Sequence, residues 1–137
     1  MRKLGKARKY LKFSWKKAPD IQIRAEILIE KLSLNYINAK RIFFYRSDGS
    51  KARAYARTWG LPALWQNALK VEPGYIIEVI SKHFDNLPTS EQDKVLLHEI
   101  SHIPKTFSGA LTPHTRHSKG SFYDKLKRLY ENYSASR

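Results

Sequence analysis

Residues 94–104 read KVLLHEISHIP: two histidines four positions apart, with a glutamate directly after the first. The surrounding residues predict a helix over this stretch. Thr89 or Ser90 can cap it, acids fill its first turn, and Pro104 marks its end. Val95, Leu96, Ile100 and Ile103 would face a core. On such a helix His98 and His102 lie one above the other, so both imidazoles can address one metal ion. Glu99 sits about 100° around the axis, near the ion but not necessarily bound, where a carboxylate can take a proton from an activated water. The plainer reading makes these ordinary histidines on a solvated helix face beside an exposed acid. The apolar flanks VLL and I favour a shaped, dehydrated site instead.

A metal held this way needs a third ligand. The chain has no cysteine, so every ligand must be a histidine or a carboxylate. The closing pattern H-x-x-G-x-x-H fails, because Lys105 and Ser108 occupy the positions of its glycine and last histidine. Asp124 or Glu131 can supply an acid, though neither sits in a recognisable motif. His114 and His117 are the better candidates. They follow a loop in which Gly109 and Pro113 allow the chain to fold back, and His114 is preferred to His117. His83, the fifth histidine, is expected at the surface.

Outward from this helix, the chain alternates helical and extended patterns. Residues 18–34 predict a helix, with Pro19 in its first turn and Ile23, Ile27, Leu28 and Leu32 at helical spacing. Residues 38–47 read as a strand closed by the turn SDGS, and 51–59 as a strand by alternation. Residues 60–70 read as a helical turn or broken loop, with Trp59 and Trp65 expected in the core. The run YIIEVIS (75–81) is a further strand, and 122–133 a terminal helix on Phe122, Leu126, Leu129 and Tyr133. The class is α+β.

With 137 residues, 42% of them hydrophobic, the chain makes one globular domain. No apolar run is long enough to span a membrane, and no apolar signal core follows the basic start, so a cytoplasmic protein is expected. The net charge is +14, and it is uneven: residues 1–17 hold eight Lys/Arg and no acid, leaving +6 for the rest. This basic arm, interleaved with Tyr10, Phe13 and Trp15, suits nucleic acid through phosphate contacts and stacking, or else serves solubility as a solvated terminus.

LLHEISHIPKTFSGALTPH (96–114) resembles a metallopeptidase family found in archaea and phages, in which a helical HExxH leads into IP, FSG and L-x-P-H. The upstream residues 50–87 look like its archaeal members. More remotely, a β-region, an HExxH helix and a downstream histidine before a last helix are similar to SprT-like minimal zinc peptidases. The resemblance implies a zincin-like α+β fold. In it, a small, mostly antiparallel sheet packs on an N-terminal helix, the HExxH helix and a C-terminal helix. It also implies zinc (Zn2+) on His98, His102 and His114, with Glu99 as general base. Apart from the resemblance, the charge distribution predicts a single domain over 18–137 behind a basic arm, 1–17. The expected activity is zinc-dependent hydrolysis of a peptide or protein substrate, which would pair with the strand 75–81. Tyr123, Arg116 or His117 are candidates to stabilise the oxyanion. The alternative is a nucleic-acid-binding protein with a structural or vestigial zinc site.

Overall fold

The run YIIEVI, preceded by Pro73 and Gly74, becomes the central strand of the protein. The computed structural model describes residues 13–113 and 121–135. Its four strands are β1 (Ser14–Lys17), β2 (Ile42–Asp48), β3 (Ala56–Gly60) and β4 (Tyr75–Ile80), arranged in one sheet in the order β1-β2-β4-β3. Two pairings are antiparallel, β1 with β2 and β3 with β4, but β2 and β4 run parallel. The sheet is therefore mixed. Strand β1 is made from the last four residues of the basic run expected as an arm, and residues 1–12 lie outside the described part.

Five α-helices occur among the described residues: α1 (Pro19–Lys31), α2 (Ala63–Leu69), α3 (Ser81–Phe84), α4 (Thr89–Ile100) and α5 (Phe122–Ala135). The core forms where α1, α4 and α5 share a cluster with one face of the sheet. Phe44, Tyr75, Ile77 and Val79 meet Ile21, Ala25 and Leu28 of α1, Leu96, Leu97 and Ile100 of α4, and Leu126 and Tyr130 of α5. Asp93 ties the three helices together. It takes Arg24 of α1 at 2.6 Å and the Tyr130 hydroxyl of α5 at 2.9 Å. Each charged or polar group so buried is satisfied by a partner on another helix, which fixes the relative placement of the three.

Several sequence expectations change here. Ile23 and Ile27 are 57% and 46% exposed. The inward stripe of α1 is Ile21, Ala25, Leu28, Ile29 and Leu32, where a small alanine takes the place expected of an isoleucine. Helix α4 begins directly after Pro88 with no side-chain cap, since the Pro88 carbonyl accepts from the backbone of Glu91 and Gln92. In α5 the buried residues are Leu126 and Tyr130, and Leu129 faces outward. Trp59 and Trp65, expected in the core, are 51% and 57% exposed.

Trp59 belongs to the sheet's second face, which carries no helix among the described residues. The register places Lys17, Tyr45, Glu78 and Arg57 in one row across all four strands. Phe43, Ile76 and Trp59 form the next row. Glu78 is buried under its neighbours and accepts from Trp59 Nε1 at 2.9 Å, Trp15 Nε1 at 3.2 Å and Arg57 at 3.3 Å. Burial pushes its carboxyl pKa up, but the hydrogen bonds of Trp59, Arg57 and Trp15 outweigh this and hold it below the usual carboxylate range. The sign follows directly. A carboxylate with a depressed folded pKa stabilises the fold above its unfolded pKa, and that contribution is lost as pH falls through the folded value. Urea unfolding should therefore show wild-type stability decreasing on acidification below about pH 4, with a weaker decrease for Glu78→Gln, which is also less stable at neutral pH. Parallel acid profiles for the two proteins would remove this role from Glu78.

Candidate active site

Helix α4 presents its motif from the covered face of the sheet. The α-helix itself ends at Ile100, and the last turn tightens: the His102 and Ile103 amides bond to the carbonyls of Glu99 and Ile100. His102 thus lies one turn beyond His98 in a tightened terminus rather than in continuous α-helix. The two rings still come side by side, with centroids 5.0 Å apart and planes at 84°. Both histidines are half-buried.

His102 has a defined tautomer. Its Nδ1 lies 2.7 Å from the Thr112 carbonyl oxygen, which can only accept, so Nδ1 carries a proton, and in the neutral ring the lone pair is on Nε2. The Thr112 amide in turn donates to the His102 carbonyl at 2.7 Å. The loop after the helix is consequently fastened onto the second histidine by two bonds. This is the arrangement by which a backbone carbonyl orients a metal-binding imidazole.

The loop's course is set further back. Tyr75, at the start of β4, accepts from the Gly109 amide at 2.7 Å and donates to the Ala110 carbonyl at 2.8 Å. Its ring stacks edge-on against Phe107 at 5.0 Å. Gln66 of α2 donates to both the Leu61 and Ser108 carbonyls at 2.8 Å. Gly60 and Gly109 allow the two backbones to meet: a Cβ on Gly60 would lie 2.0 Å from the Gly109 oxygen. The segment FSGA, residues 107–110, is thus clamped against the end of β3.

Glu99 points at β3. It is 7% exposed, and its Oε1 lies 2.8 Å from the Thr58 hydroxyl, which is also 3.1 Å from the Glu99 carbonyl. Burial raises its pKa, opposed by the Thr58 hydrogen bond and the nearby His102. Alternation along β3 explains the contact, because Thr58 faces α4 while Arg57 and Trp59 face the open side. Nothing in the local pattern of residues 51–60 marks Thr58 as a site residue; only the pairing of β3 against α4 does.

Tyr123 of α5 closes the other side of His98, with ring centroids 4.9 Å apart. Burial, followed by the charges of Glu91, Glu131 and Asp124, raises its pKa. Together these groups wall a cleft of about 470 Å³ that runs past Tyr55, Val95, His98, Glu99 and Tyr123. A smaller recess of about 90 Å³ continues between His98, His102, Thr112 and Tyr123. Of the other candidates, Asp124 holds Arg128 at 2.8 Å, and Glu131 lies 3.9 Å from Lys94. His83 is half-buried on α3, edge-on to Tyr55 at 6.3 Å. No group of three histidines or acids able to hold a metal forms among the described residues. His114, Arg116 and His117 lie outside them.

The strand expected to receive a substrate, residues 75–81, is not available. Strand β4 is hydrogen-bonded on both sides, by β2 and by β3, and Ser81 already opens α3. The sheet edge beside the histidine helix is β3.

No curated protein and no solved structure matches this chain. No helix among the described residues is long and apolar enough to cross a membrane. A family model with the description "Putative phage metallopeptidase" matches residues 13–133, which takes in β1, the whole sheet, the histidine helix and nearly all of α5. The chain belongs to this phage metallopeptidase family.

Proposed function

We propose that the protein is a zinc-dependent peptidase of the HExxH type, with His98, His102 and His114 as metal ligands and Glu99 as general base. The observation that carries this reading is the pair of hydrogen bonds between Thr112 and His102. It orients the ligand His102 by holding its Nδ1 proton, and it anchors the chain two residues before His114. Two residues span at most about 7 Å, whereas the five to His117 span about 17 Å, so the anchor restrains His114 much more tightly. The donor set fits a borderline ion that takes nitrogen and oxygen ligands, as expected for zinc in a chain without cysteine.

Zinc held there supplies an acidified water and polarises the scissile carbonyl. The chain's own residues do the rest. Glu99 takes the proton from the attacking water and returns it to the leaving amine. Thr58 holds Glu99 Oε1 and leaves the second oxygen for that proton. Tyr123, whose ring packs against His98, donates its hydroxyl to the developing oxyanion. An extended peptide adds as a further strand on β3, whose residue Thr58 already reaches the base.

The test is metal content. Protein purified without added metal and then loaded with zinc should hold one equivalent. His98→Ala, His102→Ala and His114→Ala should each lower zinc affinity at least about tenfold, while His117→Ala leaves it unchanged. Equal zinc binding by wild type and the His98→Ala/His102→Ala double variant would refute the site. Loss in His117→Ala but not in His114→Ala would reassign the third ligand.

A further inference from the structure

On the uncovered face of the sheet, opposite the histidines, lies a second cleft of about 480 Å³, lined by Trp15, Tyr45, Trp59, Ile76 and Glu78. Its volume falls in the range of about 300–1,000 Å³ usual for ligand pockets. Next to it, a hollow of about 200 Å³ runs along Arg41, Phe43, Trp59 and Ile76. The large side chains on this face are exposed: Trp15 63%, Trp59 51% and Phe43 42%. A free Trp or Phe on a sheet surface is costly in water, and a contiguous row of them marks a surface built to be covered.

Glu78 is what makes the cleft orderly. Its two oxygens accept from the two indoles, Trp59 on Oε1 and Trp15 on Oε2, so the rings are held at fixed positions on either side of one buried carboxylate. This carboxylate does not make the cleft a cation trap. Arg57 already pairs with it at 3.2 Å and lies 5.4 Å over the Trp59 ring, so the cationic place is filled from within the chain. A second guanidinium, Arg41, lies 5.4 Å over Phe43. Lys17 stands at the β1 end of the row that contains Glu78. With the Arg57–Glu78 pair neutral, Lys17 and Arg41 are the two cations that border the aromatic row. The chain running into β1, residues 1–12, adds six Lys/Arg and no acid.

Aromatic rings interleaved with cations on a positively charged sheet match the chemistry of a single-stranded polynucleotide. Bases stack on the rings without regard to sequence, and phosphates take the cations. We propose that this face is a single-stranded nucleic-acid platform, with Trp15, Trp59 and Phe43 stacking bases, and Lys17 and Arg41 meeting the backbone. The face lies across the sheet from Glu99 and does not depend on the metal.

The probe is a fluorescein-labelled oligo(dT) 15-mer, titrated by anisotropy at several salt concentrations, with a duplex of equal length as comparison. The wild type should prefer the single strand and quench its own tryptophan fluorescence on binding. Trp15→Ala and Trp59→Ala should each weaken binding on the order of tenfold, and Trp59→Phe should recover most of the loss. Trp65→Ala, an exposed tryptophan on α2, should change nothing. Lys17→Gln should lower the salt slope by about one, and EDTA or Glu99→Gln should leave affinity intact. Equal affinity for duplex, or unchanged binding in the Trp15→Ala/Trp59→Ala double variant, overturns the platform. Binding lost only when residues 2–12 are deleted overturns it too, in favour of the arm alone. A wild-type dimer that Trp59→Ala dissociates, with no oligonucleotide binding, would assign the face to a second copy of the chain instead.

Discussion

Glu99→Gln is expected to keep its zinc and to lose peptide cleavage by a factor of about 10²–10⁴, the usual contribution of a general base. The substitution keeps the shape of the side chain. The Gln carbonyl oxygen can still accept from the Thr58 hydroxyl, which lies 2.8 Å from Glu99 Oε1 in the native protein. What disappears is the ability to hold a proton between water and leaving amine. Metal content separates this from damage to the site, because the ligands are the imidazoles, and neither the His98–His102 approach nor the bond from His102 to Thr112 involves the Glu99 side chain. Zinc by mass spectrometry, circular dichroism and single-turnover cleavage of an unstructured protein substrate should be measured on one preparation. Loss of zinc would make Glu99 a ligand. Cleavage at the native rate would leave the base role without support. Thr58→Val is a useful companion: it leaves Glu99 in place without its partner, so kcat should fall while zinc binding holds.

The parts of this architecture that could be read from sequence are those controlled by local periodicity. The spacing of His98, Glu99 and His102, the apolar run of β4, and the helix at 122–133 all follow from side chains a few residues apart. What could not be read depends on which elements meet. The parallel pairing of β2 with β4 inserts a distant strand between β2 and β3, and with it β4 changes from a possible edge to the centre of the sheet. Helix α1 offers two apolar stripes, and the one containing Ala25 is buried while Ile23 and Ile27 stay exposed, a choice made by packing between elements and not by local spacing. Trp59, expected in the core, lies on β3 where alternation turns it to the open face. Thr58 and Thr112 have no signature in their own neighbourhoods. They reach the motif only through tertiary contacts, one across the sheet edge and one through the returning loop.

That returning loop sets the second large effect. Gly109→Ala should cost about 3–5 kcal/mol and lower the melting temperature by about 10–20 °C. Gly109 has φ +96°, a conformation L side chains rarely adopt, and a Cβ there would lie 2.2 Å from the Leu61 carbonyl oxygen. The obstacle is backbone on a strand end, not the tip of a flexible side chain, so relief requires the loop itself to move. Moving it strains the bonds from Tyr75 to Gly109 and Ala110, and through them the position of Thr112 on His102. Zinc affinity should therefore fall together with stability, although no ligand has been touched. Gly60→Ala meets the same contact from the other side, with its Cβ 2.0 Å from the Gly109 oxygen. The double variant should then cost less than the two single changes added, since the second substitution enters a contact already opened. Additive losses in the double variant, or a Gly109→Ala protein with native stability and native zinc affinity, would mean that the clamp at Gly60 and Gly109 does not place the loop.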